Sequence, residues 1–261
     1  MGGKGCVPIA MENKTYTVRC PECGETVKVE RPAIVNVQND PSCKVRILTG
    51  DLFQEQCPKC GQMLQVVSRI VYHDIEKRLM IYFRPIVTEE DRETFDYEAI
   101  RSAIEDNLSE PGYAIRVVTT VNELMEKIKI AEFGLNDGVI EILKFVYFDN
   151  FAKQFPDIGV LNIYYERRND KNALIFFCND GQTRSIFIDP NVYAATERRF
   201  ARVVHAINTS RVCMVGRDWA LRMIRAYSQV IRNEAAASDG DGTSDAPQEE
   251  SQASTNENSA E

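Results

Sequence analysis

Two short segments of the chain carry the same pair of cysteines. Cys20 and Cys23 lie in the sequence CPECG, Cys57 and Cys60 lie in CPKCG, and 33 residues separate the two pairs. Two cysteines spaced in this way can bind one metal ion through both thiolates, and the glycine permits the left-handed backbone that closes such a turn. Each pair supplies half of a tetrahedral shell. We therefore predict that Cys20, Cys23, Cys57 and Cys60 together bind one zinc ion.

The predicted metal site is structural rather than catalytic in character. Four thiolates fill the coordination shell of zinc and leave no position for a substrate. Redox chemistry is the alternative for CxxC pairs. Thioredoxin-like proteins, however, place one CxxC at the start of a helix in a βαβ unit, whereas both pairs here are predicted to lie in β-turns. Four thiolates also suit iron, so the sequence leaves the identity of the metal open.

The charge of the chain is concentrated at its C-terminal end. The formal net charge is -8, and residues 234–261 contain eight acidic residues and no Lys or Arg. The preceding 233 residues hold 31 acidic and 31 basic residues, so they lack the overall positive field that attracts a polyphosphate backbone. The acidic tail is polar and has no aromatic residue, which predicts disorder.

Length and composition favour a soluble cytoplasmic protein. The chain has 261 residues and a hydrophobic content of 44%, enough for an ordinary core. No apolar run approaches the ~18–20 residues that span a bilayer, and the first residues lack the order of a secretory signal. We therefore expect a cytoplasmic location, no membrane contact, and free thiols rather than disulfides.

The elements predicted around the cysteines are mainly β-strands. Residues 15–86 are predicted to form a zinc-ribbon-like β region, interrupted by a short helix that Asp40-Pro41 begins and Gly50 ends. Strand-like runs over 62–72 and 79–84 are joined by a predicted hairpin loop over 73–77.

Residues 87–233 are predicted to be helical and then to form an antiparallel meander between further helices. The predicted helices cover 89–108, 122–133, 139–155, 191–208 and 217–233, and the predicted strands cover 114–118, 160–166, 173–178 and 185–188. The helix over 139–155 is apolar around most of its circumference, which indicates burial. The predicted fold class is therefore α+β, followed by a disordered acidic tail over 234–261.

The chain resembles the CpXC domain family of prokaryotic proteins. The two CPxCG turns, the segment YHDIEKRLMIYFRP (Tyr72–Pro85) and the segment LMEKIKIAEFGLNDGVIEILK (Leu124–Lys144) carry the resemblance. It extends roughly from Thr15 to Asn233 and leaves the acidic tail outside. It implies a fold outline and makes the four cysteines counterparts of the family's metal ligands, but it implies no activity.

One histidine stands where it could serve as a general base. His73 lies between Tyr72 and Asp74 in the predicted hairpin loop, and an adjacent carboxylate can orient an imidazole. No nucleophile in a recognisable setting accompanies it, so a turn in which Asp74 bonds its own backbone is the simpler interpretation. The sequence has no GxxxxGK[ST], GxGxxG or HExxH motif. We predict no catalytic residue, and His205 is interpreted as an ordinary helical residue.

The helices predicted near the C-terminus are rich in arginine. Residues 191–233 contain eight Arg against Glu197 and Asp218. Arginine binds phosphate oxygens in pairs, so a polyanion site is one interpretation, and its candidate residues are Arg198, Arg199, Arg202, Arg222 and Arg225. A solvated helical face that the acidic tail partly neutralises explains the same pattern, and contact with a membrane surface is a third interpretation.

Two classes of function follow from these observations. The first is a structural-zinc binding or scaffold module that contacts a protein partner, which the sequence does not identify. The alternative is a nucleic-acid-binding zinc-ribbon protein that uses the Arg-rich helices. A redox sensor or a hydrolase has less support, since only the thiols and the His73 segment point to one.

Overall fold

The computed structural model describes residues 13–107, 111–207 and 212–240, with the backbone alone for 202, 204–207 and 233–240. Cys6, Arg211 and the part of the predicted acidic tail from residue 241 onward lie outside the described residues. Within the described ranges, no helix has both the length and the apolar character needed to cross a bilayer.

The described residues form strands and helices in an α+β arrangement, as the sequence predicts. The strands are β1 (Asn13–Arg19), β2 (Thr26–Pro32), β3 (Ile34–Asn36), β4 (Gln54–Gln56), β5 (Met63–Gln65), β6 (Ile70–Asp74), β7 (Leu79–Phe83), β8 (Ala114–Val118), β9 (Val160–Arg168), β10 (Lys171–Cys178), β11 (Thr183–Phe187) and β12 (Val212–Cys213). The helices are α1 (Pro41–Thr49), α2 (Glu89–Glu93), α3 (Tyr97–Asn107), α4 (Val121–Glu132), α5 (Asp137–Gln154), α6 (Pro190–Ile207) and α7 (Arg217–Gly240).

A five-stranded sheet at the centre of the described chain joins the two predicted regions. Its order is β12-β8-β7-β6-β3, in which β12, β8 and β7 are parallel, β6 is antiparallel to β7, and β3 is parallel to β6. The predicted boundary between residues 86 and 87 falls on the connection from β7 to β8. These strands pair directly, from Leu79–Ala114 to Phe83–Val118. The two predicted regions therefore share one hydrogen-bonded sheet.

Helices cover both faces of this central sheet. Neighbouring residues of a strand point to opposite faces, and in β7 they belong to two different core clusters. Ile81 packs with Leu124 of α4, whereas Tyr82 packs with Ile104 of α3. The sheet is consequently a central layer rather than one wall of a ribbon.

Local sequence explains where the helices next to this sheet begin and end. The Asp40 carboxylate accepts hydrogen bonds from two backbone N–H groups of α1, and Gly50 ends that helix with a φ of 86°. Thr120 and Glu123 cap the start of α4 reciprocally, because each side chain bonds the other's backbone N–H. Asn136 caps α5. The predicted roles of Asp40 and Gly50 are thus present.

The second half of the chain folds around α5. One side of this helix packs on the antiparallel sheet β11-β10-β9, where Leu143 and Phe151 lie in one core cluster with Phe176. Another side contacts α6 and α7, and Ile142 shares a cluster with Trp219 there. The predicted three-stranded meander is present, with hairpin residues Asn169 and Asp170 at positive φ.

Two helices differ from the sequence expectation. The helix predicted over 89–108 is divided into α2 and α3, because the Asp96 carboxylate accepts the Ala99 N–H and starts a new helix there. The helix predicted over 139–155 from its mostly apolar circumference is buried only in part, since Val146 and Phe148 are 41% and 38% exposed. An apolar residue count does not reveal which side of a helix meets another element.

The helix α7 continues past residue 234, where the disordered tail is predicted to begin. Its last described residue is Gly240, so residues 234–240 are helical rather than irregular. The segment includes three consecutive alanines at 235–237, and alanine has the strongest intrinsic preference for a helix.

Candidate metal centre

Each CPxCG segment forms the turn of its own antiparallel hairpin. The first turn joins β1 to β2, which pair up to Arg19–Thr26, and the second joins β4 to β5. The turns are equivalent in geometry. Gly24 and Gly61 have φ values of 73° and 77°, and their N–H groups donate to the carbonyl oxygens of Cys20 and Cys57 at 3.0 and 2.9 Å. A positive φ favours glycine, which explains the last residue of the motif.

The two turns bring the four predicted cysteines together. All four sulfur atoms lie within 4.8 Å of one another. The Cys20 and Cys60 sulfurs are 3.6 Å apart, as are those of Cys23 and Cys57, and all four cysteines are free thiols. A tetrahedral ion with metal–sulfur bonds of ~2.3 Å requires sulfur separations of about 3.8 Å. The cluster therefore has the donor atoms and the spacing of a four-thiolate metal site.

Backbone N–H groups point at the sulfurs and change their acidity. Hydrogen bonds from the N–H groups of Cys60 and Lys59 lower the pKa of Cys57 to about 7. The N–H of Gln62 lowers the pKa of Cys60, but burial and the neighbouring thiols outweigh it and raise that pKa to about 12. Without a cation, close thiols oppose one another's ionisation. Metal binding would therefore release protons.

Two polar contacts join the hairpins to each other. Arg31 of β2 is buried and donates to the Gln54 carbonyl at 2.9 Å and to the Glu55 carboxylate at 3.1 Å, both in β4. Lys59 and Glu25 form an exposed ion pair of 3.5 Å between the turns. Under the cysteines, a small apolar cluster completes the unit, and its buried members besides Cys20 and Cys57 are Val27, Val29, Leu64 and Val66.

The other cysteines with described side chains do not join this cluster. Cys43 is buried in α1 and donates to the Asp40 carboxylate, and burial raises its pKa to about 11. Cys178 and Cys213 are buried in two further apolar clusters. These cysteines are free thiols, as expected, and when buried in this way they behave as small hydrophobic residues.

The predicted His73 loop is a strand instead. Both His73 and Asp74 belong to β6, so their side chains point to opposite faces of the sheet. Asp74 accepts hydrogen bonds from the Gln38 side chain and the Lys77 backbone N–H, whereas the His73 ring lies 3.1 Å from the Tyr113 hydroxyl. His73 and Asp74 therefore lie on opposite faces of the sheet, and Asp74 bonds the backbone of the following turn. The His205 side chain lies outside the described part.

The arginine candidates lie on α6 and α7. Arg198 and Arg199 are exposed on α6, and Arg222 and Arg225 are exposed on α7. The side chain of Arg202 lies outside the described part. Arg222 and Arg225 are three residues apart, which places them on one face of their helix.

A network of buried charges beside α5 is absent from the sequence expectations. The Arg116 guanidinium makes two hydrogen bonds, of 2.7 and 2.9 Å, to Asp137, and Lys127 lies between Asp137 and Glu141. Lys144 then pairs with Glu141 and Glu126. Burial works against ionisation of Asp137, but Arg116 and Lys127 outweigh it and hold its pKa well below the usual range. The sequence contains a signal for this network. Glu141 and Lys144 are charged residues three positions apart within the apolar part of α5.

Comparison with protein families identifies part of the chain. The model of the CpXC protein family matches residues 18–144, a range that contains all four clustered cysteines and both further segments of the resemblance. The match ends within α5, so the resemblance expected to extend to Asn233 is confirmed only as far as residue 144. Neither the curated proteins nor the solved structures gave a match. Residues 18–144 of this chain are therefore similar to the CpXC protein family.

Proposed function

We propose that the chain is a zinc-binding module in which the metal is structural and the surrounding fold serves as a scaffold for contacts with a protein partner. The clustering of four thiols from two equivalent turns supports this proposal most directly. Bound zinc would supply a cross-link between the hairpins β1–β2 and β4–β5, the arrangement of a zinc ribbon. Cys20, Cys23, Cys57 and Cys60 would occupy every coordination position, so the site itself offers no place for substrate.

Metal analysis of the purified full-length protein tests this proposal. We expect about one equivalent of zinc per chain and less than a tenth of that in the Cys57→Ser variant, because three thiolates hold the ion far less well. Cys43→Ser is the matched control, since that thiol is buried but lies outside the cluster. If the protein contained iron and showed the absorbance of an iron–sulfur cluster, the bound metal in the proposal would be iron instead of zinc. Absence of any bound metal from folded protein would refute it.

The exposed arginine face of α7 favours nucleic-acid binding as a second candidate function. Arg222, Arg225 and Arg232 lie on the side of the helix opposite the buried Ala220 and Met223. No described carboxylate forms an ion pair with these three arginines. Arg232 donates to the Ser228 carbonyl at 3.1 Å. Exposed guanidinium groups that share one helical face without a paired carboxylate suit phosphate recognition.

A gel-shift titration with single-stranded and duplex RNA at 50 and 200 mM salt separates the two functions. Phosphate contacts make the affinity fall steeply with salt, and the double variant Arg222→Ala/Arg225→Ala would lose most of it. Arg92→Ala is the control, because Arg92 is exposed on α2 and paired with Glu89. If the unmodified protein, the double variant and Arg92→Ala all bound RNA equally weakly, the result would support the protein-scaffold function instead.

A further inference from the structure

A cleft of about 330 Å³ opens beside the buried charge network. Its walls are Phe145 and Phe148 of α5, residues 160–164 of β9 and residues 215–217 ahead of and within α7. The volume falls in the ~300–1,000 Å³ range of small-molecule sites. The cleft shares no lining residue with the thiol cluster, so what it binds is independent of the proposed metal function.

Two apolar side chains at the mouth of the cleft are left exposed. Leu161 is 66% exposed and Phe148 is 38% exposed. Leu161 is the extra residue of a β-bulge, because Asn162 pairs with Phe177 whereas Val160 pairs with the next residue of β10. A bulge redirects a side chain out of the regular alternation of a strand, and bulges are common next to functional sites. The bulge here directs a leucine to the cleft instead of the sheet core.

The lysine on the floor of the cleft is already bound by carboxylates. Lys144 donates hydrogen bonds of 2.9 Å to Glu126 Oε2 and to Glu141 Oε1, and its Nζ atom lies 2.8 Å from Glu126 Oε1. Glu126 also accepts the backbone N–H of Tyr165. Two carboxylates therefore neutralise the charge of Lys144, which leaves it little attraction for an anionic ligand.

Two carboxylate oxygens that line the cleft keep their capacity to accept. In Glu141 the Oε1 atom accepts from both Lys127 and Lys144, while no described group donates to Oε2. In Glu123 the Oε2 atom accepts the bonds of the α4 cap, and no described group donates to Oε1. Glu141 is 5% exposed, so its carboxylate is shielded from water, which strengthens a hydrogen bond to a cationic donor.

We propose that this cleft binds a small organic ammonium ion that carries an apolar body. The ammonium group donates to Glu141 and Glu123, and the apolar body lies between Phe148 and Leu161. The rings of Phe145 and Tyr164 add an attraction for positive charge. The fold already uses that attraction, because Lys144 lies 5.9 Å from the centre of the Tyr164 ring. Arg217 also lines the cleft and is exposed to solvent, which screens its charge.

Calorimetric titration of the full-length protein tests the ligand class. The probes are three amines that are protonated at pH 7 (tryptamine, phenethylamine and spermidine) and two isosteres of tryptamine, the carboxylate indole-3-propionate and the neutral alcohol tryptophol. We expect saturable binding of tryptamine or phenethylamine, and at least roughly 10-fold weaker binding of the carboxylate, whose charge meets carboxylates on the floor. Absence of binding by all three amines, or equal binding of amine and carboxylate, overturns the proposal.

Three variants test the location of the site. Phe148→Ala removes one lip and is expected to weaken amine binding about 10-fold. Glutamine can still cap the start of α4, but Glu123→Gln replaces the carboxylate of the cleft by a neutral amide. This variant is expected to reduce the preference for tryptamine over tryptophol at least roughly threefold. Phe187→Ala is the matched control, because Phe187 is 45% exposed and lies outside the cleft. Circular dichroism verifies the fold of each variant. Equal amine affinity in Phe148→Ala and Phe187→Ala would place binding elsewhere and refute the assignment.

Discussion

Arg31 and Lys59 connect the same two hairpins but differ greatly in burial. The Arg31 side chain is 4% exposed and makes two hydrogen bonds from β2 to β4, whereas the Lys59 side chain is 60% exposed in its pair with Glu25. A buried charge that loses its partners is costly, while a surface ion pair contributes ~0–1 kcal/mol. Arg31 thus holds the two cysteine turns beside each other without the help of a metal.

We expect Arg31→Met to weaken zinc affinity about 10-fold and to lower the free energy of unfolding by ~1–3 kcal/mol, because hydrogen-bond acceptors in β4 lose their donor. Lys59→Met, its control at the same interface, is expected to change neither quantity measurably. Competition with a chromophoric chelator measures the affinity, and thermal denaturation measures the stability. Similar losses in both variants would mean that the exposed pair also positions the turns.

At the scale of elements, one close contact joins the start of α5 to α7. A Cβ atom added to Gly138 would lie 2.5 Å from the Trp219 ring, closer than real Cβ atoms approach other atoms. Both residues are buried, and Trp219 is the only tryptophan in the sequence. The glycine therefore allows two helices of the second half to approach each other.

We expect Gly138→Ala to lower the free energy of unfolding by ~1–3 kcal/mol through overpacking. Trp219→Phe should destabilise the protein by itself but relieve the overlap, so the double variant should be at least ~0.5 kcal/mol more stable than the sum of the single effects. Gly216→Ala is the control, since no atom lies within 4 Å of its added Cβ. Urea denaturation gives all four values, and strict additivity would contradict the contact.

At the scale of the whole molecule, the cysteine hairpins and the central sheet have separate apolar clusters. Val29 and Leu64 lie in the small cluster under the thiols, whereas Ile81 and Leu124 lie in the larger cluster of the sheet and α4. Structural zinc contributes apparent binding energies of ~10–16 kcal/mol in small zinc peptides, which is more than so small a cluster supplies alone. The metal is therefore expected to stabilise the hairpins more than the rest of the fold.

We expect chelation of the metal to raise hydrogen exchange in residues 13–32 and 54–66 while residues 79–83, 121–132 and 137–154 stay protected, because the latter belong to the larger cores. Exchange measured by mass spectrometry before and after chelation tests this. The metal-free Cys57→Ser variant, without chelator, should reproduce the pattern and excludes an effect of the chelator itself. Equal deprotection of β7 and α4 would show one cooperative unit that includes the hairpins.

The sequence by itself determined the features that depend on neighbouring residues. The spacing of Cys20, Cys23, Cys57 and Cys60 was sufficient to predict their clustering, because a CPxCG turn carries its own geometry through proline and glycine. The caps at Asp40 and Asn136 were predictable for the same reason. The α+β class followed from local periodicity.

Only the tertiary structure decided which elements are partners. Ile115 and Val212 pair in parallel strands although nearly a hundred residues separate them, and Arg116 meets Asp137 across two elements. Periodicity shows that a strand has an apolar face but not which strand lies beside it. The strand order of the central sheet, and the pairing of strands from the two sides of the predicted boundary at residue 86, were therefore not predictable. The cleft and the charge network share this origin. Their side chains come from β8, β9, α4, α5 and the residues at and just before the start of α7, and such a site exists only when packing brings distant segments into contact.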